Sequence, residues 1–381
     1  MQRILFVFND DRSIITHRLH LIRFAIDQGY DVGVVAALGR YKSILLKLDI
    51  KVYDWATRRG SQNPIREFLA IKKLLCFVND FKPEIIHAVA IKPIFYSSAL
   101  CKFGFISAKL VNNFGGLGFI FRSESFYSKM LRSFFKPLLS FFLRHKSITI
   151  TAQNTDDRAV IGRLSGLKES DIYLLNGSGV ELPTLQNDTP SIAPPMVMFM
   201  GRLLHEKGIK EFIQAAKIIK KKRPTVRFIV VGDRDEHNPA SVDNNFIQHH
   251  KNENTTEFWG QKDNLDEIFQ QVSIVCLPSH HEGMPRVLIE ASAYAKPIVT
   301  FNVPGCRDVL MLAGNGILVE KGDQTGLQEA LLKLIDKPDE AVRLGKMGRV
   351  AAEQYFSAEA INGKTQEIWK SALSLAKTEL G

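Results

Sequence analysis

Two acids with seven residues between them stand in the stretch Ser279-His-His-Glu-Gly-Met-Pro-Arg-Val-Leu-Ile-Glu-Ala-Ser-Ala-Tyr-Ala-Lys-Pro-Ile-Val299. Glu282 precedes Gly283, Met284 and Pro285. Proline suits the first position of a helix, and the two residues before it offer backbone N–H groups where the helix dipole favours an anion by about 0.3–1 kcal/mol. Glu282 is itself an anion and would repel a phosphate there unless it points at neutral hydroxyls. A sugar attached to the phosphate supplies those hydroxyls. Glu290 falls about two turns further on, roughly 10 Å along the helix, among Leu288, Ile289 and Ala291. A carboxylate in that position can accept both hydrogen bonds of a ribose diol, as the acid of dinucleotide folds does. Singly, Glu282 reads as a helix-dipole partner and Glu290 as a satisfied half-buried acid. Together, beside a cationic loop, they read as a sugar-nucleotide site.

The cationic loop is Gly201-Arg-Leu-Leu-His-Glu-Lys-Gly208, directly after the apolar run Met196 to Met200. Gly201 allows close backbone approach. Arg202 can grip two oxygens of a pyrophosphate, and Lys207 supplies a mobile point charge. The lysine spacing is not that of a Walker loop. Asp233-Arg-Asp235 has the look of a metal motif, but aspartates after a strand more often cap a turn or helix, and a metal needs more oxygen ligands than this stretch supplies.

Such loops need strands that end beneath them. Short apolar runs recur at Ile4 to Phe8, Val32 to Ala36, Ile85 to His87, Leu110 to Asn112 and Ser147 to Thr151, with a helix near Thr16 to Gln28 stopped by Gly29. None alternates with polar residues, which suits strands buried on both faces of a helix-covered parallel sheet. A proline-rich polar linker runs from Glu181 to Pro195. The pattern then restarts: strands at Met196 to Met200, Val226 to Val231, Ser273 to Leu277 and Pro297 to Phe301, helices near Lys210 to Lys222 and from Pro285. The expected fold is α/β, two Rossmann-like doubly wound parallel-sheet domains facing across a cleft. The first spans 1–185 and the second 186–357, with a C-terminal helix within 358–381 packing back on the first.

A chain of 381 residues suits two domains. No apolar run spans a bilayer, and the N-terminal apolar stretch is too short and too soon acidic for a signal peptide. Cys76, Cys101, Cys276 and Cys306 lack metal or redox spacing and read as reduced thiols of a cytoplasmic protein. The net charge of +10 favours an anionic partner. Residues 128–147, SKMLRSFFKPLLSFFLRHKS, hold five Lys/Arg and no acid among Phe and Leu, a composition that lies well on an anionic membrane surface.

Glu282-x7-Glu290 with Arg202 and Lys207 resembles the signature of family 4 of the retaining GT-B glycosyltransferases, and the resemblance covers most of the chain. Asn113-Phe-Gly-Gly-Leu-Gly118, Gln153-Asn154 and Gly232-Asp-Arg-Asp-Glu-His-Asn-Pro239 are similar to bacterial N-acetylhexosaminyltransferases acting on undecaprenyl-diphosphate-linked sugars. The resemblance implies that Arg202 and Lys207 bind the diphosphate of a UDP-sugar and Glu282 holds the donor sugar at the reacting carbon. Glu290 would hold the ribose. Gly201, Gly283, Met284 and Pro285 would cradle the diphosphate and sugar, while Gly260 and Gln261 would meet the base. The UDP-sugar is a substrate, and no cofactor or metal is expected. The acceptor would be a polyprenyl-diphosphate-linked saccharide, met by an enzyme peripheral to the inner face of the cell membrane. The first loop, Asn9-Asp-Asp-Arg-Ser13, lacks the glycines usual in the family. Asn9, His17, His87, Gly116 and Gly118 are the acceptor-side candidates, although a lone histidine such as His17 or His87 is more often structural. Competing readings are a two-lobed sugar-nucleotide epimerase or hydrolase, and a basic nucleic-acid-binding module. The latter has no recognisable motif here, so no nucleic-acid partner is expected. A dinucleotide oxidoreductase is disfavoured because the first strand is not followed by Gly-x-Gly-x-x-Gly.

Overall fold

The computed structural model describes residues 1–55, 63–116, 137–185, 194–235, 238, 240–262 and 264–374. Gly118 and residues 128–136 of the basic segment lie outside them. The chain divides into two compact units, 1–179 with 358–381, and 180–357. The division falls at Gly179/Val180 rather than at 185/186. Val180 already belongs to the second unit, because its N–H donates to Phe356 O (3.0 Å) and Arg349 Nη1 donates to Pro183 O (3.0 Å).

The first unit holds strands β1 (Arg3–Asp10), β2 (Asp31–Ala37), β3 (Lys51–Asp54), β4 (Ile85–Val89), β5 (Lys109–Phe114), β6 (Ile148–Ala152) and β7 (Ile172–Leu174). They form one sheet in the order β3-β2-β1-β4-β5-β6-β7, every pairing parallel. The second unit repeats the plan with β8 (Met196–Met200), β9 (Arg227–Val231), β10 (Glu257–Gly260), β11 (Ile274–Leu277), β12 (Ile298–Phe301) and β13 (Gly316–Val319), in the order β10-β9-β8-β11-β12-β13. Both are doubly wound Rossmann orders, reversing between β1 and β4 and between β8 and β11. Strands β1, β8, β9 and β11 carry apolar residues on both faces, as burial by helices above and below requires.

One expected helix is two. Asp10 accepts from Ser13 N (2.8 Å) and caps a helix Asp11–His17, so the helix begins earlier than its apolar pattern suggests. The chain leaves helical geometry at Arg18 (φ −136°) and resumes as Leu19–Asp27. Asp11 is buried and accepts from Gly39 N (2.6 Å) and Tyr41 N (3.0 Å), so the loop after β1 is held by carboxylates where the sequence has no glycine. All four cysteines are free thiols.

The C-terminal helix Ala358–Ser374 packs against β5 and β6 of the first unit. Its anchor is Trp369, fully buried, with its ring 5.9 Å from Phe6 and 5.6 Å from Tyr30 between centroids. Trp369 Nε1–H donates to His87 Nδ1 (3.0 Å). His87 is therefore a core residue of β4 and not part of an acceptor surface. Burial, aided by the positive charge of Arg18, pushes its pKa down to about 3. The ring is neutral and carries its proton on Nε2. Replacing Trp369 by Ala removes a buried indole and a hydrogen bond together, and is expected to cost about 3–5 kcal/mol, read as a lowered urea midpoint with the helix Leu19–Asp27 and the sheet unfolding in one transition.

Candidate active site

The site forms where the second sheet reverses. The loops after β8 and β11 leave neighbouring strands there and are stitched to each other through backbone. His280 N and Ser279 Oγ both donate to Glu206 O, at 2.9 and 3.0 Å. Gly208 (φ +81°) sits so close to the second loop that an added Cβ would stand 1.9 Å from Pro278 O. The loop after β12 joins them: a Cβ on Gly305 (φ +77°) would stand 2.1 Å from Gly283 O. Glycine is the residue that both positive φ and contact with a neighbouring carbonyl permit.

This stitching brings two of the expected residues into direct contact. Lys207 Nζ donates to Glu282 Oε1 (2.6 Å) and Oε2 (2.7 Å). The carboxylate is 8% exposed and the ammonium 20%. Glu282 thus meets a cation in this structure rather than standing alone beside an anion site. Arg202, more exposed, donates through Nη1 to Asp235 Oδ2 (2.7 Å). That partner arrives from the loop after β9, where spacing alone suggested a capping aspartate.

Pro285 is the N-cap of the helix Arg286–Ala293 rather than its first residue. Its carbonyl accepts from Leu288 N and Ile289 N, which closes the first turn one residue later than expected. Arg286 and Val287 open the helix at its loop end, where the first amides have no carbonyl partner within the helix. Gly283 and Met284 stand directly ahead of them, Met284 buried against the core of the unit. Glu290 lies on the same helix, 10% exposed, and accepts from Arg286 Nε (2.7 Å). Here a sequence signal was present and unused, since residues four apart on a helix face each other. Burial raises the Glu290 pKa and Arg286 opposes that rise.

Gly201 follows β8 with its N–H donating to Val231 O (3.0 Å), and Gly260 ends β10 with its carbonyl accepting from Gly232 N (2.9 Å). Asp233 accepts from Gln261 N (3.2 Å). Gly201, Gly260 and Gln261 therefore belong to one set of loops at the carboxyl ends of β8, β9 and β10. Asp233 and Asp235 are both engaged, one with an amide and one with Arg202. Among the described residues, the grouping with metal-ligand spacing is His249, His250 and Glu253; Lys217 Nζ donates to that Glu253 (2.8 Å).

The acceptor-side candidates differ in exposure. Asn9 is half-buried near the end of β1, His17 is exposed at the end of its helix, and Gly116 is half-buried after β5. Residues to which the sequence assigned no part in this site matter as much: Asp235, read there as a cap of a turn or helix, Arg286, Gly208 and Gly305.

Fold and site define a glycosyltransferase of the GT-B class, and known proteins of that class resemble the chain along its length. Residues 187–351 match the family Glycosyl transferases group 1, and residues 3–154 match Glycosyl transferase 4-like. Both matched families are glycosyl transferases, one covering most of the second unit and the other most of the first. It is 27% identical over 375 residues to the N,N'-diacetylbacillosaminyl-diphospho-undecaprenol alpha-1,3-N-acetylgalactosaminyltransferase of Campylobacter jejuni, covering 93% of this chain and 94% of that one. It is 30% identical over 237 residues to the capsular polysaccharide biosynthesis glycosyltransferase CapM of Staphylococcus aureus, covering 61% and 60%. Among solved structures, Anabaena HepE in complex with UDP and glucose superposes with a TM-score of 0.76 at 18% identity, over 97% of this chain and 100% of that one.

The raised pKa of Glu290 has a defined sign. Its folded form favours the protonated acid, so its contribution to stability is full below the ordinary glutamate value and is lost as pH rises toward the folded pKa. Glu290→Gln is expected to flatten the decline of thermal midpoint with pH above about 4.3; an unchanged slope in the variant would remove Glu290 as its source.

Proposed function

We propose that this glycosyltransferase moves an N-acetylhexosamine from a UDP-sugar to a polyprenyl-diphosphate-linked saccharide, with retention of anomeric configuration, at a membrane surface. The observation that carries the donor reading is the Lys207–Glu282 pair at the switch point of the second sheet. A cation for the diphosphate and a carboxylate for the sugar ring are held within hydrogen-bond reach of each other, beside a helix N-terminus. The acceptor reading is supported by the Campylobacter relative, whose name gives a saccharide on diphospho-undecaprenol as acceptor and N-acetylgalactosamine as the sugar transferred. Uridine as the base is supported by HepE, whose structure holds UDP.

In this reading the bond between the anomeric carbon and the diphosphate oxygen breaks while the sugar becomes oxocarbenium-like. The acceptor hydroxyl attacks the face from which the diphosphate departs. Its proton passes to the leaving phosphate oxygen, so the products are the glycoside and UDP. Lys207, Arg202 and the first-turn amides of Arg286–Ala293 are aimed at the negative charge that grows on the diphosphate. Preorganised donors of this kind are the largest catalytic contribution in many enzymes, and losing one costs about 100- to 1000-fold. Lys207 shares itself between Glu282 and the diphosphate, so one ammonium fixes the sugar-binding acid and the leaving group in common register. Glu290, held by Arg286, would accept from the ribose hydroxyls. The two protein cations supply the charge a metal would otherwise bring, and transfer is expected to continue in EDTA.

The test is a panel of nucleotide sugars with a polyprenyl-diphosphate-linked saccharide, products identified by mass. Glu282→Ala and Lys207→Ala are each expected to lower kcat by about 100- to 1000-fold with circular dichroism unchanged. Full activity in either variant counts against the site, and free sugar released at full rate without acceptor marks a hydrolase instead.

Membrane association is supported by an exposed aromatic patch on the first unit. Phe103, Phe105 and Phe141 are each about half exposed or more. The rings of Phe103 and Phe141 lie 6.3 Å apart, and Lys102 Nζ stands 4.8 Å over Phe141. Residues 137–143 of the basic segment are helical and run into Arg144 and Lys146. No helix among the described residues is long and apolar enough to cross a membrane. Phe103→Ser with Phe141→Ser is expected to weaken sedimentation with anionic vesicles severalfold and leave neutral vesicles unbound as before. Equal sedimentation of the variant and wild type would remove the membrane claim.

A further inference from the structure

The first unit buries polar side chains that its own fold does not satisfy, and they gather at the carboxyl ends of β5 and β6. Asn113 on β5 and Thr151 on β6 are register neighbours, so both side chains leave the same face of the sheet. Both are fully buried. Neither the nitrogen nor the oxygen of the Asn113 amide has a hydrogen-bond partner, and neither does the Thr151 hydroxyl. On the other face of β5, Asn112 Nδ2 donates to Ser98 Oγ (2.9 Å) while Asn112 Oδ1 is likewise without a partner. One row deeper on the first face, the His87 Nε2 proton is also without a partner. Buried polar groups in native proteins are nearly always paired, and each exception calls for a cause.

Two further features mark the same place. Ala90, directly after β4, donates its N–H to Asn113 O (3.4 Å) and has φ +81° and ψ 161°, a backbone region that is essentially glycine's alone. Gly115, just past the end of β5, is exposed, and an added Cβ would stand 3.9 Å from Gln153 Nε2. Gln153 follows β6 and is almost buried. Strain and unpaired polar groups both lower stability, and both concentrate where a protein holds a ligand.

We propose that Asn113, Thr151 and Gln153 form a subsite for a neutral saccharide and hydrogen-bond the hydroxyl and acetamido groups of the acceptor sugar. None of the three carries a charge, so they do not match a diphosphate. Each amide offers a donor and an acceptor, and the hydroxyl offers both. An N-acetylated pyranose presents that same mixture along one edge. A site that hydrogen-bonds a substrate hydroxyl also rejects analogues lacking it, because its own groups are then left unpaired. The subsite would select the acceptor sugar independently of its lipid. The identity of the ligand as the acceptor rests on the transfer reading above; the subsite itself rests on the unpaired groups.

The experiment replaces the polar atoms by apolar ones of similar shape, in Asn113→Leu and separately Thr151→Val. Each protein is measured for thermal unfolding, for UDP affinity, for binding of a methyl N-acetylhexosaminide by ligand-observed NMR, and for acceptor KM. Both variants are expected to unfold about 2–4 °C higher, to lose glycoside binding and to raise acceptor KM at least about tenfold, with UDP affinity unchanged. A lower unfolding temperature with unchanged acceptor KM would assign these groups to buried water and overturn the subsite, and unchanged glycoside binding in both folded variants does the same. Wild type that binds the glycoside but not UDP sinks the donor reading and leaves the subsite standing. Wild type that binds UDP but no glycoside sinks the subsite alone.

Discussion

A parallel sheet wound in both directions has one place where adjacent strands send their connections to opposite faces. Everything at the candidate active site follows from that constraint. β8 and β11 are neighbours in space though separated by two strands in sequence. Their loops part at the sheet and approach again above it, which is why Glu206 O can accept from both Ser279 and His280. Lys207 and Glu282 are 75 residues apart in the chain and 2.6 Å apart in space for the same reason.

That closeness is costly as well as useful. A charged pair withdrawn from water loses hydration, which its mutual attraction need not repay, while deleting one partner leaves the other buried alone. Lys207–Glu282 and Arg286–Glu290 are both nearly withdrawn in this sense. The raised pKa of Glu290 shows burial outweighing its arginine. Hydrophobic pairs in those positions would serve stability as well. Charges kept there suit a ligand that is itself charged at one end and hydroxylated at the other. The unpaired row of Asn113 and Thr151 is the uncharged counterpart in the first unit.

How far the sequence could be read depended on burial. The central strands of both sheets were legible because two covered faces demand uninterrupted apolar runs, as in Ile4 to Phe8 and Val226 to Val231. The strands it did not reveal, β3, β7, β10 and β13, are the four sheet edges. Each has one open side and several half-exposed residues, so no apolar run announces it. The break at Arg18 was hidden because apolar spacing continues across it. The core role of His87 was not legible because its partner, Trp369, comes from 282 residues away.

The sequence by itself determined the repeated strand-and-helix plan, the Arg202/Lys207 loop, and Glu282 and Glu290 on one helix entry, because these depend on residue type and spacing within short stretches. Only the tertiary structure decided that Lys207 grips Glu282, that Arg202 turns to Asp235, that Trp369 fastens the last helix to the first sheet, and that Asn113 is left without a partner. Those facts depend on which distant strands the winding makes neighbours. Local pattern sets which groups are present; the topology of the sheets sets which of them meet.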